Sequence, residues 1–307
     1  MVAHSEASPR KPYTWQQAAS LLASVVAFVL VALVVARISQ GGVASHGSTD
    51  GFNPLYAVSG LLVGVLVGLT GVGGGSLMTP LLVLLFGFNP GTAVGTDLLY
   101  ASATKAVGTA VHGANKTVDW KVTGYMAMGS VPAAAASVVL LYVLHAHGDG
   151  ASKLISTVLG FALLLTAVTL LFRKQIFSFA ASRSVAPGPR ATTILTIALG
   201  AVLGVLITLS SVGAGAIGVT VLIFLYPNLP LSRIVGSDIA HAVPLTLVAG
   251  LGHFALGTVN FPLLGSLLTG SIPGIIIGSQ LTAHIPERIL RPVLAGTLLL
   301  VGGKLAF

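Results

Sequence analysis

The chain has 307 residues, only 22 of them charged (15 Lys or Arg and 7 Asp or Glu), and its mean hydropathy is +0.97. A soluble fold of this length would need far more polar surface, and the absence of cysteine excludes disulfides, thiolate metal sites and thiol catalysis. The basic excess does not indicate nucleic acid, because the Lys and Arg fall mostly in short segments between apolar runs, where they signal membrane topology.

Residues 1–54 comprise a polar start with Arg10 and Lys11, an apolar run Ala18–Ala36 and a polar loop. The run is long for a signal core, and Val34-Val35-Ala36-Arg37 is a poor cleavage site, so it reads as an uncleaved first transmembrane helix. Tyr56–Leu69 is apolar and breaks at Gly71-Val72-Gly73-Gly74-Gly75, and a short stretch Leu77–Phe88 follows. Asn89-Pro90 then opens a helix to about His112, with Asn as N-cap and Pro in the first turn. Two more helices are expected near Val122–Leu144 and Leu154–Phe172. After a linker (174–193) rich in Arg and Pro, the same order recurs as Ile194–Leu209, Ile217–Tyr226, Pro230–Leu256, Phe261–Ala283 and Ile289–Leu305.

The recurrence is also one of motifs. Gly95-Thr96-Asp97 returns 141 positions later as Gly236-Ser237-Asp238, and His112 returns as His253. Thr117-Val118-Asp119 returns as Thr258-Val259-Asn260, and Gly129-Ser130-Val131-Pro132 as Gly270-Ser271-Ile272-Pro273. One residue out of that register, Val72-Gly73-Gly74-Gly75 returns as Val212-Gly213-Ala214-Gly215. The expected fold is an all-α polytopic membrane protein of two homologous halves, 55–173 and 194–307, joined into one membrane domain.

Each half starts with two short arms around a glycine break, shorter than the roughly 20 residues of a full crossing. They read as a re-entrant helical hairpin, with two tilted short crossings as the alternative. Either way the pair adds an even number of crossings to three full helices, so each half has an odd total and the repeats should be inverted. With the N-terminus in the cytoplasm, eleven of the fifteen Lys and Arg fall inside and three (Arg37, Lys153, Lys304) outside, with Lys105 left within a helix. The linker is then cytoplasmic and the C-terminus external.

Glycines let the backbone turn sharply at membrane depth, which is tolerated inside protein or beside a water-filled cavity. A helix restarting at Ser76 or Ala216 would present backbone N–H groups and a partial positive charge, which suit an anion. Thr70, Gly73, Gly74, Ser76, Ser210, Ser211 and Gly213 are therefore the candidate substrate ligands, against the plainer reading of small-residue helix packing. Lys105 has no basic counterpart, since Thr246 takes its place, and is a candidate counter-charge or else a snorkelling side chain. Asp97 and Asp238, two turns into their helices, could couple transport to H+ or Na+ or tie down the neighbouring hairpin. His241, one turn from Asp238, is a weaker relay candidate. His112 and His253 read as capping residues. The lack of a Gly-Lys-Ser/Thr ending rules out a nucleotide phosphate loop, and neither a nucleophile–base pair nor a metal cluster stands out. No cofactor or enzymatic activity is expected.

With these residues in place, the chain resembles the sulfite exporter TauE/SafE family of membrane permeases over about residues 55–307. The resemblance rests on Gly68-Leu69-Thr70-Gly71-Val72-Gly73-Gly74-Gly75, the downstream Asn-Pro and Gly-Thr-Asp, and Gly-Ser-Val-Pro in the next helix. The second half departs from it, with Ser211 and Ala214 where the first half has glycine. The resemblance implies a secondary transporter, working as an exporter, in the bacterial cytoplasmic membrane for a small sulfur-containing anion such as sulfite or an organosulfonate. An anion-selective channel of the same architecture is the alternative. Partners would be the anion, the bilayer and a coupling H+ or Na+, with a homo-oligomer left open. Single cysteines placed at Ser45 and Ser182 in this cysteine-free chain should be labelled by an impermeant maleimide from opposite sides of the membrane. Labelling from one side would overturn the inverted topology.

Overall fold

The computed structural model describes residues 52–70, 75–146, 150–172, 175, 176, 178, 179, 188–281 and 287–306. Within them the chain is helical, without strands: α1 (Pro54–Thr70), α2 (Gly75–Leu84), α3 (Pro90–Ala114), α4 (Trp120–Ala146) and α5 (Gly150–Leu171) in the first half. The second half repeats the order as α6 (Pro189–Ser210), α7 (Ile217–Leu225), α8 (Leu231–Ala255), α9 (Phe261–Leu281) and α10 (Glu287–Ala306). The proposed first helix, Ala18–Ala36, lies outside the described residues, as does most of the inter-half linker.

Among the described residues, α4, α5, α6 and α8 are long and apolar enough to cross a membrane. Their outward faces carry bare apolar side chains, including Met128, Tyr142, Leu165, Val202 and Leu251, which suits contact with lipid. The arm before the second break is longer than expected. α6 spans 22 residues because its first turn starts at Pro189, ahead of the apolar run, with proline at the helix start where its missing N–H costs nothing. The arms after the breaks are short. α2 has 10 residues and α7 has 9, about 15 Å each at 1.5 Å per residue, half of the roughly 30 Å hydrocarbon core.

Helix directions follow from which residues meet. Gly95 faces His253 and Thr258, Gly250 faces Leu99, and Gly236 faces Thr117 and His112, so α3 and α8 run antiparallel along their length. Gly60 lies on Leu267 and Gly64 on Ser271, so α1 and α9 run parallel. Gly200 lies on Met126 and Gly204 on Ser130, making α6 and α4 parallel in the same manner. Gly160 beside Leu305 and Gly302 beside Leu164 set α5 and α10 antiparallel.

These contacts are close because glycine removes the side chain from the interface. A methyl group at Gly60, Gly129, Gly200 or Gly270 would run into a backbone carbonyl oxygen of the facing helix. In lipid, where no hydrophobic force draws helices together, such backbone approach supplies the attraction through dispersion. Gly129→Ala should therefore destabilise the fold by about 1–3 kcal/mol, the usual cost of overpacking. Gly124→Ala, five residues earlier on α4 with nothing within 4 Å of its added methyl, should be neutral or slightly stabilising, since Ala is the better helix former. Thermal melts of the two variants in detergent check the contrast.

Candidate functional site

The second break is built to hold a non-helical backbone away from water. α6 ends at Ser211, which adopts a left-handed conformation (φ 57°) and donates its N–H to the Ile207 carbonyl at 2.7 Å. Gly213 (φ 128°) and Gly215 (φ 92°) follow, in backbone regions that side chains disfavour. Ser210 fastens the turn: its Oγ donates toward the Leu206 carbonyl (2.6 Å) and accepts from Val212 N (3.1 Å). The candidate ligand role for Ser210 thus meets a hydroxyl already engaged within the break.

Asp238 on α8 reaches across to this turn. Its Oδ2 accepts a hydrogen bond from Gly215 N at 2.7 Å, and its Oδ1 lies against Gly218 at the start of α7. Of the break's amides, Ile217 N and Gly218 N turn back to the Gly213 carbonyl. Those of Gly213, Ala214 and Ala216 find no acceptor among the described residues. The amide array expected from sequence is therefore partly used by the protein's own carboxylate.

Asp97 occupies the matching place in the first half. Its Oδ2 accepts the Thr79 hydroxyl of α2 at 2.5 Å. Ser211, from the other half's break, also comes close enough to act on Asp97. Asp97 Oδ1, Asp238 Oδ1 and Ser211 Oγ are buried and without a hydrogen-bond partner among the described residues. Both carboxylates are essentially inaccessible, at 0% and 1% exposure.

Lys105 sits on α3 about midway between its contacts with the two ends of α8, at the level of Pro244. Its ammonium is attracted first by Asp238 and then by Asp97. The lysine thus acts through space on both acids. His241 is fully buried, and its Nε2 hydrogen-bonds Ser130 Oγ at 2.9 Å. At the equivalent place in the first half, Tyr100 bonds Ser271. His241 is thus held by α4 rather than by the carboxylates, although it feels the Lys105 charge.

Of the other candidates, Thr70 is the last residue of α1 and Ser76 the second of α2. Gly73, Gly74 and the side chains of Thr70 and Ser76 lie outside the described residues. Lys105 acts through space on both Asp97 and Asp238, Asp238 is bonded to the break that contains Gly213, and Ser211 of the same break comes up to Asp97. Thr79 was missed by the sequence reading because its aligned position in α7 is Val219, so no repeat signal marked it. Tyr100 and Ser271 could have been found, since they align with His241 and Ser130.

His112 and His253 are structural. Each Nδ1 meets a threonine hydroxyl five residues on, Thr117 at 2.8 Å and Thr258 at 2.9 Å, closing the turn to the next helix. His253 Nε2 also bonds the Thr208 carbonyl at 3.0 Å.

Known proteins give the arrangement a context. The chain is 40% identical over 255 residues to the probable membrane transporter protein YjnA of Bacillus subtilis (strain 168), covering 80% of this chain and 96% of that one. It is 28% identical over 251 residues to the probable membrane transporter protein YdhB of the same organism, covering 78% and 96% respectively. No solved structure matches. Residues 56–305 match the sulfite exporter TauE/SafE family, and with helices fit to span a bilayer the chain belongs to that family of multi-pass membrane transporters.

Proposed function

We propose that the protein is a secondary transporter, working as an exporter, for a small sulfur-containing anion such as sulfite or an organosulfonate. The observation that carries this reading is Lys105, a cation at mid-helix within electrostatic reach of Asp238, the acid bonded to a helix break whose Gly213, Ala214 and Ala216 amides have no acceptor among the described residues. An anion leaving water loses much hydration energy, and fixed donors plus a full positive charge offset that loss. Ser211 and Gly213 would contact the anion from the second break. Thr70, Gly73, Gly74 and Ser76 would do so from the first. Ser210 would shape the turn, and Lys105 would supply the charge. Asp97 and Asp238, with His241 nearby, would serve a coupling H+ or Na+.

The architecture in this reading is two inverted repeats, 55–173 and 194–307, in one membrane domain, after an N-terminal segment (1–54) and joined by a cytoplasmic linker (174–193). The antiparallel runs of α3 with α8 and of α5 with α10 support it. The length of α7, 9 residues, fits a re-entrant arm better than a full crossing. The N-terminus would lie inside and the C-terminus outside, following the charge count. Alternating access suits such a pair of hairpins meeting at a central site better than an open pore does.

Titration of purified protein with sulfite, organosulfonates and sulfate tests the substrate class, and saturable counterflow in proteoliposomes separates carrier from channel. Lys105→Gln should weaken binding of the preferred anion by about 1–3 kcal/mol, the range of a charge-assisted hydrogen bond. Lys105→Arg should keep part of it, since charge stays while geometry changes. Unchanged affinity in Lys105→Gln would leave the lysine a snorkelling residue and the site elsewhere.

A further inference from the structure

The centre of the molecule holds two acids and one base, and the sum constrains what else can enter. Asp97 comes from α3, Asp238 from α8 and Lys105 from α3 between them, with the lysine's attraction reaching both carboxylates. Each acid spends one oxygen on a structural bond, to Thr79 Oγ1 or Gly215 N. Among the described residues each leaves Oδ1 without a partner, and the Ser211 hydroxyl, 7% exposed, comes up to Asp97. Two carboxylate oxygens without a described partner, each acid within electrostatic reach of the one ammonium, offer a place that can take up a proton.

Other groups able to titrate there are few. Tyr100 interacts with Asp97 but is bonded to Ser271, while His241 interacts with Lys105, bonds Ser130 through Nε2 and keeps a buried Nδ1 without a partner among the described residues. His253 has both ring nitrogens engaged. α2, α7 and α9 carry no titratable side chain, nor does the 71–74 segment. α1 carries only Tyr56, α6 only Arg190 in its first turn, and α4 has Lys121 and Tyr125 near its start and Tyr142 and His145 near its end.

With both acids ionised the cluster carries one net negative charge. A monovalent anion seated at Lys105 adds a second, in surroundings where uncompensated charge is strongly disfavoured. Whatever fixed positive charge the helix ends contribute, it is the same before and after binding, so the increment stays one charge. We infer that the Asp97–Lys105–Asp238 cluster is a proton site linked to the anion site, so that each monovalent anion binds together with about one proton on a carboxylate. Proton and anion then cross together, the step is electroneutral, and membrane voltage neither drives nor opposes it. This rests on the anion site proposed above and identifies the coupling ion that reading left open. The bookkeeping is simple: the proton comes from solvent, joins a carboxylate Oδ and leaves with the anion, with no covalent bond to the anion made or broken.

The test uses methanesulfonate and isethionate, whose charge stays fixed across neutral pH, so any proton change belongs to the protein. Calorimetric titration of the full-length protein in buffers of different ionisation heat reads protons taken up per anion bound. About one proton per anion is expected between pH 6 and 8, with affinity falling up to about tenfold per pH unit in the linked range. Asp97→Asn and Asp238→Asn keep an acceptor for Thr79 and Gly215 but cannot hold the proton. At least one of them should lose most of the uptake and flatten the pH dependence. Full uptake in both variants overturns the assignment. So does anion binding by the wild type without proton uptake, or with dependence on sodium instead, either of which leaves the anion site standing. Binding of neither probe removes the anion site and the proton site together. Should a variant fail to fold, the wild-type stoichiometry decides alone.

Discussion

The hydrogen bond from Gly215 N to the Asp238 carboxylate is the contact on which the centre of the molecule depends. A helix that stops inside a bilayer exposes amides and carbonyls that water cannot reach, and each unsatisfied group costs several kcal/mol in hydrocarbon, by order of magnitude. Ser210, Ser211 and the positive-φ glycines turn the chain and close part of these groups locally. Asp238 then anchors the turn to α8, a full-length helix. The acid is present because the break needs an acceptor, and its second oxygen is left available for chemistry.

The repeated motifs of each half hold different segments of the other half, and do so in matching pairs. Thr96 Oγ1 of Gly-Thr-Asp accepts a hydrogen bond from Asn260 N at 3.0 Å, and Ser237 Oγ of Gly-Ser-Asp accepts one from Asp119 N at 2.8 Å. Asp119 and Asn260 in turn accept from amides of the first turns of α4 and α9 through their side chains. The serines of the two Gly-Ser-x-Pro segments bond His241 and Tyr100 across the halves. The glycines of the same segments bring α4 onto α6 and α9 onto α1. A motif that binds the other half is satisfied only when both halves are present, which explains why these polar residues recur in a chain otherwise so apolar.

Symmetry in the framework makes the asymmetry at the centre informative. Lys105 faces Thr246 across the alignment, Tyr100 faces His241, and Thr79 faces Val219. These exchanges fall on side chains around the two carboxylates rather than on the glycine contacts that set helix spacing. A frame with two equivalent acids and a single cation places a directional charge distribution in an otherwise two-fold arrangement.

The sequence by itself determined the membrane class, the ten elements of the two halves to within a few residues, the second break and the identity of the charged residues at depth. It could do so because hydropathy, glycine clusters and motif spacing are local properties of the chain. The Asn89 cap was legible for the same reason, and it is present, accepting from Gly91 N at 2.9 Å. Only the tertiary structure decided which groups meet. Ser210 and Ser211 are neighbours with the same side chain, yet one fastens the turn and the other comes up to Asp97. Lys105 is eight residues from Asp97 in sequence but is drawn first to Asp238, 133 positions away, because α3 and α8 lie antiparallel. Thr79 carried no signal at all until folding set its hydroxyl on Asp97. Contacts of this kind depend on the packing of distant helices, and no local pattern in the chain encodes them.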